Sequence, residues 1–275
     1  MRTLTNSRAR PNPFGDQLEI HPLAFGEPRK LVESLRGAAT LINTYWVRFN
    51  YKSFSLIEAV RNTKVLFEAA REAGVKRIVH VSILKPDEGR GLAYYEGKLE
   101  LERALRELGV AHTILRPGVL FGRGDILVNN IAWSLRHLPV FGVFGDGRYK
   151  LAPLHVEDFA TIAADAARST AEHEVIDCHG PQTFEYRELA RTLAGIMGIR
   201  RVIVPVPPML GWAMTKLVDP FVRDVIVTRE EVVGLMHGLL WSELPSRGKI
   251  LLTEWATEHR DRLGREYASE VGRRR

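Results

Sequence analysis

The feature that most constrains this chain is an alternation running through its first two-thirds, in which short apolar runs are separated by longer stretches with helical periodicity. "LEIH", "ATLINT", "RIVHVS" and "HTILRPG" read as strands. "EPRKLVESLRG" reads as a helix that opens at Glu27 and Pro28 and closes at Gly37. The stretch from Ser55 to Ala73 predicts a helix with an apolar stripe through Ile57, Val60, Phe67 and Ala70, and Gly74 stands where its C-terminal cap belongs. "LAYYEGKLELERALREL" predicts another, with Leu101, Ala104, Leu105 and Leu108 on one face and Gly109 at its end. Strands and helices in this alternation make parallel βαβ units, an α/β fold with a doubly wound parallel sheet.

With 275 residues, 45% hydrophobic and 26% charged, the chain is long enough for one large α/β domain or a domain with a smaller cap. Its formal charge of +6 includes the terminal Arg273, Arg274 and Arg275, and acids and bases are interspersed elsewhere, so a nucleic-acid-binding stripe is not expected. The single cysteine, Cys178 in "EVIDCHG", has no partner for a disulfide or a metal site and reads as a buried strand residue in a reducing compartment. The uncharged run from Val202 to Thr215 is broken by Pro205, Pro207 and Pro208 and is too short for a membrane span; with no signal peptide, the expected location is cytoplasmic.

After Gly122 the character changes, with glycines clustering in "FGRGD" and "FGVFGDGR". The reading is a nucleotide-binding core over 1–122 plus parts of 150–180, and a smaller, mostly helical substrate-side portion over 123–149 and 181–275. Thr228 and Glu231 form a capping-box pattern, and an amphipathic final helix is expected from about Thr253 to Val271.

The chemistry-bearing residues follow one another in a meaningful order. Ser82 ends a buried strand, Tyr94 and Lys98 lie four apart on the next helix, and Arg116, Pro117 and Gly118 end the strand after it. Moving hydride to a carbonyl requires a proton donor beside the developing alkoxide. A phenol with an ordinary pKa of about 10 needs a neighbouring cation to act near neutrality, and lysine supplies one. Ser82 would orient the carbonyl oxygen. A Tyr-x-x-x-Lys pair occurs readily by chance; its position between the serine strand and the proline-glycine turn gives it weight. Tyr95 competes for the phenol role, but its spacing to Lys98 is wrong.

At this point the chain resembles the extended and atypical short-chain dehydrogenase/reductase superfamily. The likeness lies in "VRNTKVLFEAAREAGVKRIVHVS", "YYEGKLELERAL", "TILRPGVLFG" and "PLHVEDFA", with "GPQTFEYRELARTLAGIMG" resembling the C-terminal strand and helix. Within it the chain is most similar to the NmrA-like and complex I accessory-subunit-like branch, whose members bind NAD(P)H, are often described as epimerases or dehydratases, and include non-enzymes. The resemblance implies a Rossmann-like fold and Ser82, Tyr94 and Lys98 as the catalytic set, with Lys98 also reaching the nicotinamide ribose and Pro117 and Gly118 passing the nicotinamide end. Asn43, Thr44 and Tyr45 would pass the adenosine ribose. The turn carrying Asn6, Ser7, Arg8 and Arg10 lacks the acid of an NAD site and favours NADP.

Two departures qualify this. The superfamily's first strand, glycine-rich phosphate loop and following helix precede the strand that "MRTLTN" resembles, so a sheet without its first β-α unit is expected; an internal or misassigned start at Met1 would explain it. At "HPLAFGEP" an acid for the adenine amine is replaced by Leu23, Ala24 and Phe25, leaving Phe25 to pack on the ring. His155 and His80 are read as packing residues.

The leading expectation is an NADP-linked oxidoreductase or epimerase/dehydratase acting on a small carbonyl or hydroxyl compound. The alternatives are a non-catalytic NAD(P)H-sensing or assembly subunit, whose "VPVPPMLGWAMTKLVDPF" would face a protein partner, and a truncated relative that binds no cofactor; the partners expected are a small-molecule substrate and a protein partner or homodimer. No metal, nucleic acid or membrane span is expected.

Overall fold

The structure is a computed structural model that describes residues 1–6, 14–52 and 54–274. In chain order it runs β1 (Arg2–Leu4), β2 (Glu19–His21), α1 (Pro28–Leu35), β3 (Thr40–Asn43), α2 (Leu56–Glu72), β4 (Arg77–Val81), α3 (Ala93–Glu107) and β5 (Ala111–Pro117). There follow β6 (Leu120–Phe121), α4 (Leu127–His137), β7 (Val140–Phe144), β8 (Lys150–Leu151), β9 (Leu154–His155), α5 (Val156–Arg168) and β10 (His173–Cys178). The chain ends with β11 (Phe184–Glu185), α6 (Tyr186–Ile196), β12 (Val202–Val206), α7 (Pro208–Val222), α8 (Arg229–Met236) and α9 (Leu252–Glu258).

Two compact units divide the chain: Met1–Val81, Gly97–Ile114 and Ala166–Val175 form the first, and Ser82–Glu96, Leu115–Asp165 and Ile176–Arg275 the second. The principal sheet has the order β10-β5-β4-β3, with β3 parallel to β4 from Thr40 against Arg77 to Asn43 against His80. This is the α/β arrangement of a parallel sheet flanked by helices that the alternation predicts.

In the first unit the sheet is divided. β1 pairs in parallel with β2, Arg2 against Glu19 through Leu4 against His21, and among the described residues neither strand pairs with β3.

The helices are fixed by local chemistry. Pro28 stands at the first turn of α1, where its missing N–H costs nothing, and Gly37 turns the chain out at φ +76°. The Ser55 hydroxyl accepts the Glu58 N–H at 3.2 Å and caps α2. The buried face of α2 runs through Ala59, Thr63, Leu66 and Ala70, not through Ile57, which is 83% exposed. At 3.6 residues per turn Ile57 lies roughly 150° around the helix from the centre of that face, so the predicted stripe is corrected there. Leu66 and Phe67 join Leu31, Ile78, Leu101 and Leu105 in one core, with Leu4 and Phe25 packed at its margin.

In the second unit α4, α6 and α9 enclose a core that includes Phe121, Ile131, Leu135, Leu189, Leu193 and Ala256. Thr228 and Glu231 form the predicted capping box of α8. The long final helix does not form, and α9 stops at Glu258. Side chains of α4 take the backbone that would have continued it: Arg136 donates to the Leu263 carbonyl at 2.8 Å, and Asn130 donates to Ala268 at 3.0 Å. Gly264, at φ +69°, lies so close to the Ala132 and Trp133 backbone that a Cβ would sit 2.4 Å away. No helix among the described residues is long and apolar enough to cross a membrane.

Candidate active site

α3 carries Tyr94, Tyr95 and Lys98, and the chain passes from the second unit to the first between Glu96 and Gly97. In the second unit the two tyrosines have opposite environments. Tyr95 is buried with Ile83, Leu92 and Leu239, and Gly89 approaches its ring so closely that any Cβ there would collide. Burial, and secondarily the Glu231 carboxylate, push its phenol well above the ordinary value. Tyr94 is only half-buried, its ring centroid 5.8 Å from that of Tyr95.

Ser82 follows β4 directly and is buried, its N–H donating to the Leu115 carbonyl at 2.7 Å. Pro117 and Gly118 are close-packed: the Pro117 carbonyl accepts the Leu84 N–H at 3.0 Å, and the Gly118 N–H donates to Cys178 at 3.4 Å. A Cβ on Gly118 would stand 2.9 Å from Leu84 and 3.0 Å from the Leu240 carbonyl, so a side chain there would force these neighbours to shift. Arg116 reaches Asp87 at 3.9 Å.

In the first unit Lys98 is fully enclosed. Its Nζ donates to the Val81 carbonyl at 2.8 Å and lies 4.2 Å from the centre of the Trp46 ring. Desolvation dominates and, despite the Glu102 carboxylate, brings the ammonium down to about 7. Gly97 makes the approach possible, since a Cβ there would meet Trp46 at 3.0 Å and Val60 at 3.1 Å. His80, whose pKa burial and the Lys98 charge hold well down, contacts the Asn43 amide at 3.0 Å and stands edge-on to Phe67.

The proposed cofactor contacts of this unit are partly drawn together. Asn43 is buried and accepts the Tyr45 N–H at 3.0 Å, Tyr45 packs on Phe25 with ring centroids 4.8 Å apart, and Thr44 between them is exposed. Asn6 stands elsewhere, exchanging two hydrogen bonds with the Leu23 backbone that prolong the β1–β2 ladder. Ser7, Arg8 and Arg10 lie outside the described residues.

The residues present suit a nicotinamide dinucleotide unevenly. Asn43, Tyr45 and Phe25 provide polar and aromatic surface for a ribose and a ring, but a diphosphate needs a helix N-terminus offering free N–H groups. α1 instead begins with the Glu27 carboxylate and with Pro28, which has no N–H, while Ser55 occupies the start of α2. Among the described residues of these first helices there is no diphosphate cradle.

His155 is buried beside Phe121, its Nδ1 accepting the Glu157 N–H at 3.3 Å, and it serves the strand-to-helix junction. Cys178 is buried in β10, and desolvation pushes its thiol up to about 12, leaving it inert at neutral pH. Sequence reading passed over the role of Trp46 beneath Lys98 and of Asn62, which donates to the Tyr45 hydroxyl at 3.2 Å. The aromatic density of "YWVRFNYKSF" was the available signal.

The fold is one that the chain shares with solved reductases. Triphenylmethane reductase of Citrobacter sp. superposes with a TM-score of 0.76 at 15% identity, covering 94% of this chain and 90% of that one. An NADPH-dependent quinone oxidoreductase from Escherichia coli, complexed with NADPH, gives a TM-score of 0.71 at 21% identity, covering 88% and 83%. By sequence, the chain is 23% identical over 224 residues to the mitochondrial NADH-ubiquinone oxidoreductase 40 kDa subunit of Neurospora crassa, covering 81% of this chain and 54% of the subunit. The chain thus spans about half the length of the curated relatives it matches. No family model matches it.

Proposed function

We propose that this chain is an NADP-linked oxidoreductase or epimerase/dehydratase acting on a small carbonyl or hydroxyl compound. The observation that carries the reading is the contrast on α3: Tyr95 is locked in an apolar cluster with a raised pKa, whereas Tyr94 keeps a partly open ring. Tyr94 donates its proton to the substrate oxygen, the Ser82 hydroxyl hydrogen-bonds the same oxygen, and Lys98, one helical turn on, supplies the cation that favours the phenolate. The dinucleotide, when bound, supplies or accepts the hydride. Pro117 and Gly118 shape the nicotinamide end, while Asn43, Thr44, Tyr45 and Phe25 take the adenosine side; Asn6, Ser7 and Arg8 would set the preference for NADP.

Turnover of NADPH against a panel of carbonyl compounds tests this. Tyr94→Phe is expected to lower kcat by about 10²-fold or more while leaving NADPH binding, read by fluorescence titration, within about twofold. Undiminished turnover in Tyr94→Phe would reject the role.

A second reading is favoured by the starts of α1 and α2, which Glu27, Pro28 and Ser55 occupy, and by relatives named as mitochondrial complex I subunits. In it the chain is a non-catalytic assembly subunit, its location following that of the complex, and the cytoplasmic expectation gives way. A stoichiometric partner in a pull-down, with no NADPH oxidation, would select it; failure to bind NADPH at all marks a relative that has lost the cofactor.

A further inference from the structure

The most unusual surface in the second unit is α7. A surface helix ordinarily turns its apolar stripe inward and its charges outward. α7 does the reverse. Met209 is 50% exposed, Leu210 55%, Met214 53%, Leu217 73% and Phe221 86%. Ala213 and Pro220, the other exposed positions of the helix, are also apolar. Its two charged residues bond to each other, Lys216 to Asp219 at 2.8 Å, and are spent on the following turn: Lys216 also donates to the Val227 carbonyl at 3.2 Å, and Asp219 accepts the Ile226 N–H at 3.0 Å. Gly211 seats the other side of the helix against Phe144 and Val206.

The exposed stripe Leu210, Met214, Leu217, Phe221 has spacings of four, three and four, which read the same in both directions. Laid antiparallel on a second copy, Leu210 meets Phe221 and Met214 meets Leu217, each pair occurring twice. That is the self-complementarity a two-fold interface requires, and the spacing is that of a helix-pair seam. The five large side chains leave on the order of 500–600 Å² of apolar surface open, comparable with the apolar centre of a standard interface of about 800 Å² per partner. Strand addition is a poorer use of this face, because Pro205 interrupts the donors of β12 beside it. A membrane surface is also poorer: interfacial helices present a cationic face beside the apolar one, and here Lys216, the one cation of the helix, is paired with Asp219.

We propose that α7 is a dimerisation helix, through which two copies of this chain associate antiparallel about a two-fold axis. The proposal is independent of the reaction assigned above.

Sedimentation velocity of the full chain at tens of micromolar is expected to show a dimer, and Leu217→Glu to weaken association by at least about 100-fold, with the far-ultraviolet spectrum unchanged. Chains carrying Met214→Cys and Leu217→Cys test the register. Under mild oxidation their mixture should cross-link more than either variant alone, while the buried Cys178 stays silent. A wild-type monomer overturns the proposal, as does a monomer that co-sediments with phosphatidylcholine/phosphatidylserine vesicles. A dimer undisturbed by Leu217→Glu overturns it too. Should Leu217→Glu fail to fold, the cross-linking pattern decides; equal self-cross-linking of each variant would mean a parallel pair and reject the antiparallel assignment.

Discussion

Two pieces of parallel sheet lie in the same unit and have the same pairing geometry, yet they are held in different ways. In β4, Arg77, Ile78, Val79 and His80 are all buried, with Phe67 of α2 and Leu101 and Leu105 of α3 in the same core as Ile78. β1 and β2 contain no buried residue and are tied by polar contacts: Arg2 donates to Glu19 at 2.8 Å and to the Arg36 carbonyl at 2.6 Å, and Asn6 pairs with the Leu23 backbone. The lesson is that coverage by helices, more than the ladder itself, decides how firmly a parallel strand is held.

Removing the cover from the well-packed piece should break it. Phe67→Ala is expected to cost about 3–5 kcal/mol in urea denaturation, because the ring is fully buried and the site cannot collapse around its loss. A cost near that of a surface change would mean that α2 does not hold β4 in place.

The next effect concerns the charge enclosed beside that sheet. The folded Lys98 titrates near 7 and the unfolded side chain near 10.5, so between these values the unfolded state binds more protons and stability rises with pH. Below pH 7 both states are protonated and the burial cost is present in full; above about 10.5 it is gone. The rise should amount to roughly 2–4 kcal/mol and vanish in Lys98→Met, as measured by denaturation at several pH values. A slope that survives Lys98→Met must come from another group.

The smallest effect is expected at the uncovered side of the same sheet. Ile42 in β3 is 44% exposed, and Ile42→Thr should change stability by no more than about 0.5 kcal/mol. A larger loss would show that the outer face of β3 is covered in solution.

Local signals carried the sequence reading furthest. Pro28 before α1, Ser55 at the start of α2 and the Thr228–Glu231 box each act within one helical turn, so neighbours in sequence suffice to place them. Ile57 was misplaced because apolar residues surround α2 on more than one side, and only packing selects the face. The final helix failed for a longer-range reason: Arg136 and Asn130, more than a hundred residues away, claim the carbonyls it would have used. At the candidate site, the order of Ser82, Tyr94, Lys98 and Gly118 is visible in sequence, but the placing of Trp46 against Lys98 is not, because Trp46 follows β3, a whole helix and strand before α3, and only the packing of the unit brings the two together.

The divided sheet also bears on how this protein behaves in concentrated solution. β3 carries neither lysine nor proline to discourage a newcomer, whereas β1 carries Arg2, engaged with Glu19. Among the described residues no strand pairs with the outer edge of β3, whose amides and carbonyls can template an extended segment of a partly folded neighbour, so yield on refolding should decline as the chains are crowded together, and dilution should restore it.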